Sequence, residues 1–243
     1  VRETGKVKFG SLFTGIGGLD LALESFGHEC LWQVEIDPYA RGVLEHHWPG
    51  VERFTDVRTV GATNLRAVDC VVGGFPCQDI SVASHTATGL DGERSGLWSE
   101  FARIVGELRP RVVFVENSPA LTVRGLYRIL GDLTTLDFDA EGDVFSASEV
   151  GAPHERERLF ILAHTNGIDR APRMGRDTRP GALWASDHGD HAARRIMAPA
   201  APREYRKAHG LPAQVDRLRC LGNAVVPAQA ALAWSTLMSR IAA

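Results

Sequence analysis

The stretch GGFPCQDIS, residues 73–81, places Cys77 directly after a proline and just past the apolar run AVDCVVGG. A cysteine at the carboxyl end of a buried strand stands where open α/β sheets hold their ligands, so it can serve as a nucleophile there. Pro76 fixes φ and has no N–H, which stiffens the approach. A free thiol has a pKa of about 8.5, so such a nucleophile needs nearby positive charge or a helix N-terminus. Cys70 lies inside its apolar run and Cys30 begins one, and both read as packing residues. In VVFVENSP, Glu116 and Asn117 emerge at the same edge. A carboxylate there is costly unless it is partnered or protonated. Glu116 therefore reads as a proton or hydrogen-bond donor, or as half of a salt bridge. APHERERLFILA supplies the cation. Arg156 and Arg158 alternate at the entrance of a strand, which predicts that both point the same way, toward an anion, a carbonyl or solvent.

A second group of residues could hold a ligand. FGSLFTGIGGLDLAL, residues 9–23, reads as strand, glycine-rich turn and helix. Gly15, Gly17 and Gly18 let the backbone turn tightly and approach a ligand closely. About 20 residues on, Glu35 ends a strand, where a carboxylate accepts hydrogen bonds from both hydroxyls of a ribose. Asp56 is a further acidic residue at a strand end. The spacing G-x-G-G departs from the dinucleotide fingerprint, and an adenosine cofactor without a pyrophosphate fits better than NAD.

These residues need a frame. The runs at 6–13, 30–36, 67–74, 111–117 and 158–164 read as buried strands. Segments 19–26, 38–47, 97–108 and 126–136 carry helical spacing. Strand and helix in alternation predict a doubly wound, mostly parallel α/β sheet covered on both faces. A last helix, 227–242, opens on Pro227. The 243 residues suffice for one good-sized core or a core with a small appendage. The net charge of −3 sets up no global basic field. Residues 164–214 differ: they carry nine Lys or Arg against five Asp or Glu, which leaves the remainder at −7. A small basic appendage on an acidic core suits a face that meets phosphates, and equally a solvated insertion. The four cysteines form no C-x-x-C pair, which argues against a zinc ribbon or a disulfide scaffold and suits a reducing cytosol. No apolar run approaches the roughly 20 residues of a membrane span, and no signal peptide is visible.

With these segments in hand, the sequence resembles the cytosine-C5 DNA methyltransferase family. SLFTGIGGLDLAL is similar to its S-adenosylmethionine turn, VEIDPYA to its ribose-binding segment and GGFPCQDIS to its catalytic loop. VVFVENSP is similar to its E-N-V segment, GAPHERERLFILA to its Q-x-R-x-R segment and CLGNAVVP to its closing motif. The resemblance covers residues 7–164 and 215–241. It implies a Rossmann-like S-adenosylmethionine-dependent methyltransferase fold, with residues 1–163 and 215–243 as the catalytic and cofactor-binding domain. Residues 164–214 would be a reduced target-recognition insertion.

The resemblance also implies roles. Cys77 would attack C6 of a flipped-out cytosine, Glu116 would contact N3 and the exocyclic amine, and Arg158 would hold the O2 side. Arg156 would place the catalytic loop or a phosphate, and Asn117 would fix the Pro76–Cys77 turn. Phe13, Gly15 and Gly17 would surround the methionine part of S-adenosyl-L-methionine, with Glu35 on the ribose. Ile36, Asp56 and Val57 would lie beside the adenine, and Leu97, Asn223 and Val225 would complete the pocket. The product would be S-adenosyl-L-homocysteine, and no metal is implied. Residues 78–96 read as a lid over the flipped base. Gln78, Ser81 and Arg94 are then DNA contacts, or solvated surface. The partner would be double-stranded DNA, in the cytoplasm of a bacterium or from a phage, as in restriction–modification.

His154 stands where the family carries glutamine. Only about fifty residues separate the two matching blocks, so specificity would come from the reduced insertion, the lid, a protein partner or a homo-oligomer. The rival readings are a tRNA cytosine-C5 methyltransferase, a non-catalytic DNA-binding relative and a nicotinamide-dependent oxidoreductase. The first lacks its Pro-Pro-Cys and Cys-Phe-Thr signatures here. The second leaves Cys77, Glu116 and Arg158 unexplained, and the third leaves the proline–cysteine loop without a role.

Overall fold

The computed structural model describes residues 6–76, 96–165, 216 and 220–241. Cys77, Gln78, Ser81, Arg94, the expected lid up to residue 95 and residues 166–214 of the expected insertion lie outside the described residues.

Seven strands form one sheet. They are β1 (Lys8–Leu12), β2 (Glu29–Val34), β3 (Glu52–Phe54), β4 (Cys70–Gly73), β5 (Val112–Asn117), β6 (Phe138–Phe145) and β7 (Arg158–Thr165). Their order across the sheet is β3-β2-β1-β4-β5-β7-β6. Every pair from β3 to β5 is parallel, and β7 runs antiparallel to both of its neighbours. The helices are α1 (Gly18–Glu24), α2 (Pro38–His47), α3 (Leu97–Leu108), α4 (Leu121–Arg124), α5 (Leu126–Thr135) and α6 (Pro227–Ile241). Among the described residues no helix is long and apolar enough to cross a membrane.

Side chains alternate across a strand, and the central strands are apolar on both faces. In β5, Val113 and Val115 join one core, with Trp98, Phe101 and Ile104 of α3 and Ile129 of α5. Val112 and Phe114 join the opposite core, with Leu19 and Leu23 of α1 and Trp234 of α6. Phe114 stacks on Phe160 of β7 at 5.5 Å and meets the Trp234 ring edge-on at 5.2 Å. The sheet is therefore covered on both sides, as the alternating pattern predicts.

Two features set up the site. The chain leaves β1 toward β2 and β3, then returns to place β4 on the other side of β1. A crevice opens at the carboxyl ends where the order reverses. Because β7 is antiparallel, its first residue, Arg158, reaches that same edge beside the end of β5, where Asn117 pairs with Leu159. The strand β6 was not expected. Only its two end residues are buried, so FDAEGDVF carries no apolar alternation, and its place is set by pairing with β7.

Candidate active site

The carboxyl edge of the sheet encloses a cavity of about 580 Å³, within the roughly 300–1,000 Å³ of ligand pockets. Its wall takes residues from the ends of β1, β2, β3, β4 and β5, from the start of β7 and from the segment before α6. Phe13, Gly15, Glu35, Ile36, Asp56, Val57, Leu97, Glu116, Asn117, Arg158, Asn223 and Val225 all line it.

At one end the backbone makes the shape. Phe13 and Gly15 adopt φ of 53° and 59°, left-handed conformations that bend the chain away from β1. Glu35 Oε2 accepts the Gly15 N–H at 2.7 Å, and Oε1 accepts the Asp37 N–H at 2.7 Å. Each oxygen keeps a lone pair for a further donor, as a ribose diol requires. Asp37 caps α2 through Oδ1, which accepts the N–H groups of Tyr39 and Ala40. Ile36 is 68% exposed, an apolar side chain offering a flat ring somewhere to lie. Asp56 caps the 3₁₀ turn Val57–Thr59, its Oδ1 accepting the Arg58 N–H at 3.0 Å. A glycine turn, a ribose-ready carboxylate, an apolar shelf and an acidic group beyond it fit an adenosine carrying a small polar tail.

Gly17 departs from its expected place. Among the described residues it is not part of the cavity wall. It takes φ 87°, and a Cβ there would stand 2.4 Å from the Trp48 ring. Its job is to let α1 start against Trp48, behind the turn. Beneath the same turn sits Asp20, fully buried, with Gln33 Nε2 donating to its Oδ2 at 2.6 Å. Burial pushes its carboxyl up to about 6, against the hydrogen bonds that favour the anion.

At the other end the charges are buried. Glu116 is 8% exposed, and Arg158 Nε lies 2.9 Å from its Oε1. Burial raises the Glu116 pKa, while the Arg158 charge and then that of Arg156 oppose the rise. Gly74 leaves room for this carboxylate, since a Cβ there would stand 2.5 Å from Oε2. Asn117 Nδ2 donates to the Phe75 carbonyl at 3.3 Å, tying β5 to the residue just before Pro76.

Arg156 does not point with Arg158. It precedes β7 and takes φ 34°, so strand alternation does not apply to it. Its Nη2 donates to the carbonyls of Gly222 and Ala224 at 2.8 and 2.7 Å, which holds the segment carrying Asn223 and Val225 against the cavity. Sequence reasoning missed the partner of this tether, Gln229. Its Nε2 donates to the carbonyls of Phe145 and Arg156 at 2.7 and 2.8 Å. The available signal was a lone amide in the apolar helix PAQAALAW. His154 Nδ1 is buried without a hydrogen-bond partner among the described residues. No group of residues suited to a metal ion occurs among the described residues.

A family model described as C-5 cytosine-specific DNA methylase matches residues 7–183. The Type II methyltransferase M.HhaI of Haemophilus parahaemolyticus is 34% identical over 167 residues, 67% of this chain and 50% of that protein. The Type II methyltransferase M1.ScrFI of Lactococcus lactis subsp. cremoris is 34% identical over 174 residues, 70% of this chain and 43% of that protein. The chain spans about half the length of the curated relatives it matches. Among solved structures, the methyltransferase EhMeth of Entamoeba histolytica shares the fold, with a TM-score of 0.68 at 13% identity. The match covers 98% of this chain and 99% of that one.

Proposed function

The chain belongs to the C-5 cytosine-specific DNA methylase family, and from that premise we propose that it transfers a methyl group from S-adenosylmethionine to C5 of cytosine in double-stranded DNA. One observation carries the reading: the Glu116–Arg158 pair and the Gly15–Glu35–Asp56 shelf open into one cavity. Donor and acceptor must meet for group transfer, and a shared cavity supports that.

The shelf would hold the cofactor, with Glu35 on the ribose, Ile36, Asp56 and Val57 beside the adenine, and Phe13, Gly15, Asn223 and Val225 around the rest. S-adenosylmethionine, when bound, supplies an electrophilic methyl group. Cytosine C5 is a poor nucleophile inside a stacked base. The base is therefore flipped out, at a cost of about a few kcal/mol, and activated covalently. The Cys77 thiolate adds to C6, and electron density moves to C5. Glu116, kept above the ordinary carboxylate range by burial, hydrogen-bonds N3 and the exocyclic amine and so favours that shift. Arg158 holds Glu116 in place and would face the O2 side. C5 takes the methyl group, then loses its proton to a base, and the thiolate leaves C6 as the double bond re-forms. Asn117 steadies the approach to Cys77 through the Phe75 carbonyl. The basic 164–214 segment acts as a reduced recognition element, with Gln78, Ser81 and Arg94 on the DNA.

The test uses duplex DNA and methyl-labelled S-adenosylmethionine, followed by sequencing for 5-methylcytosine. The expected result is label at cytosine C5, and none with Cys77→Ala. No transfer by the wild type, or undiminished transfer by the variant, contradicts the proposal.

A further inference from the structure

Arg103, in the middle of α3, is not among the described residues of the cavity wall. Its guanidinium nonetheless gathers four partners. Nε donates to Glu100 Oε2 at 2.8 Å and Nη1 to Glu107 Oε1 at 2.7 Å. Nη2 donates to the backbone carbonyls of Val57 and Val60 at 3.1 and 2.9 Å. The glutamates sit one turn to either side on the helix and fix the fork in place. One carbonyl, that of Val57, already closes the turn by accepting the Val60 N–H at 3.5 Å, and the other belongs to Val60, the residue that ends it, so the guanidinium grips the turn at both ends. Glu107 extends the grip, its Oε2 accepting the Ala62 N–H at 3.0 Å. Gly61 makes the fit: a Cβ there would stand 2.1 Å from Glu107 Oε2.

The turn needs such a hold. It follows β3, a three-residue strand at the edge of the sheet, where strand pairing supports one side only. At the front of the turn are Asp56 and Val57, both in the cavity wall. One short piece of chain therefore brings Asp56 and Val57 to the cavity while the guanidinium grips it at Val57 and Val60. The helix that clamps it is itself locked, since Trp98 Nε1 donates to Asp132 Oδ2 of α5 at 2.7 Å. Leu97, in the first turn of that helix, lines the same cavity.

We propose that Arg103 is a positioning residue for purine selection. By fixing the Asp56–Val57 turn, it lets the cavity prefer an adenine, which carries an exocyclic amine, over a purine with an oxygen at that position. The inference rests on the S-adenosylmethionine reading above. A carboxylate accepts from an amine and repels a carbonyl oxygen, and the preference survives only while the carboxylate is held at bonding distance. A loosened turn loses discrimination without emptying the site.

The test is titration calorimetry on the intact chain with S-adenosylhomocysteine and its hypoxanthine analogue. Wild type is expected to favour the adenine compound. Arg103→Met should cut that preference about tenfold, the worth of one hydrogen bond to a charged group, chiefly by weakening the adenine compound. Glu107→Ala, a milder change at an exposed pair, should cut it about threefold and serves where Arg103→Met fails to fold. An unchanged preference in the folded variants overturns the inference, because general destabilisation would weaken both ligands alike. A wild type that binds neither compound contradicts the S-adenosylmethionine reading instead.

Discussion

At the cofactor end of the cavity, Glu35 is held by two backbone N–H groups, and its neighbour Ile36 is left 68% exposed. At the base end, Glu116 is 8% exposed and is held by a guanidinium at 2.9 Å. The first end is shaped by strand ends, glycine and caps, so most of its form exists before any ligand arrives. The second depends on two side chains whose charges have little water to fall back on. Backbone-built sites tolerate side-chain change, whereas a buried pair fails when either partner is lost. The difference suits the proposed reaction, in which one end would bind the cofactor and the other would shift electron density.

Substitutions at each end can break that contrast. The largest effect is expected for Glu116→Gln, which keeps the shape and removes the charge and the titrating proton. Methyl-transfer kcat should fall by about 10²- to 10⁴-fold, while calorimetry finds S-adenosylhomocysteine binding within about twofold of wild type. A parallel loss of cofactor affinity would erase the distinction between the ends.

Next is Arg158→Met, which leaves Glu116 buried without its partner. Urea denaturation at pH 7 should give a loss of about 3 kcal/mol. Glu116 already has a raised pKa, and losing Arg158 raises it further. The penalty is therefore full where the lone carboxylate would be ionised, and it shrinks as pH falls and the carboxylate takes a proton. A penalty independent of pH would show that the pair is not electrostatic in origin.

Asp20 extends the comparison, because it is a buried carboxylate behind the cofactor end. Its folded pKa is about 6, above the ordinary 3.8, so the folded chain binds the extra proton between those values. Its contribution to stability is therefore full below about pH 4 and is lost as pH rises through 6. Asp20→Asn should remove that decline, gaining up to about 3 kcal/mol relative to wild type between pH 4 and pH 7. Equal pH dependence in the two proteins would mean that the buried proton is absent.

The smallest effect is expected at Ile36→Ala. The side chain is exposed in the free protein, so thermal stability should hold. The Kd for S-adenosylhomocysteine should rise about five-fold through lost apolar contact with the ring. A fall in melting temperature without a change in Kd would place Ile36 in the core rather than on the shelf.

Much of this architecture was legible in the sequence, because the central strands bury both faces and so write themselves as apolar runs. Glu35 and Glu116 could be placed because the ends of parallel strands share one edge, whereas Arg158 read only as a candidate partner for Glu116 and reaches that edge because β7 runs antiparallel. What escaped depended on geometry that periodicity does not carry. β6 is recruited by β7 despite a polar sequence, and Arg156 leaves the alternation of its neighbour by a single left-handed residue. Gly17 reads as a ligand-facing glycine until Trp48 is seen against it. Gln229 and Arg103 act on backbone carbonyls far away in the chain, which leaves no local pattern beyond an amide in an apolar helix and the i, i+3, i+4 charges of α3.

The most direct test of the account is a trapping measurement. A duplex carrying 5-fluorocytosine at the methylated position is incubated with the protein and S-adenosylmethionine, and the product is digested for mass spectrometry. Fluorine at C5 cannot leave as a proton does, so the adduct persists. The account predicts a denaturation-resistant complex with the base joined to Cys77. Methyl transfer to ordinary cytosine with no trapped complex, or a base joined to Cys220 instead, would contradict it.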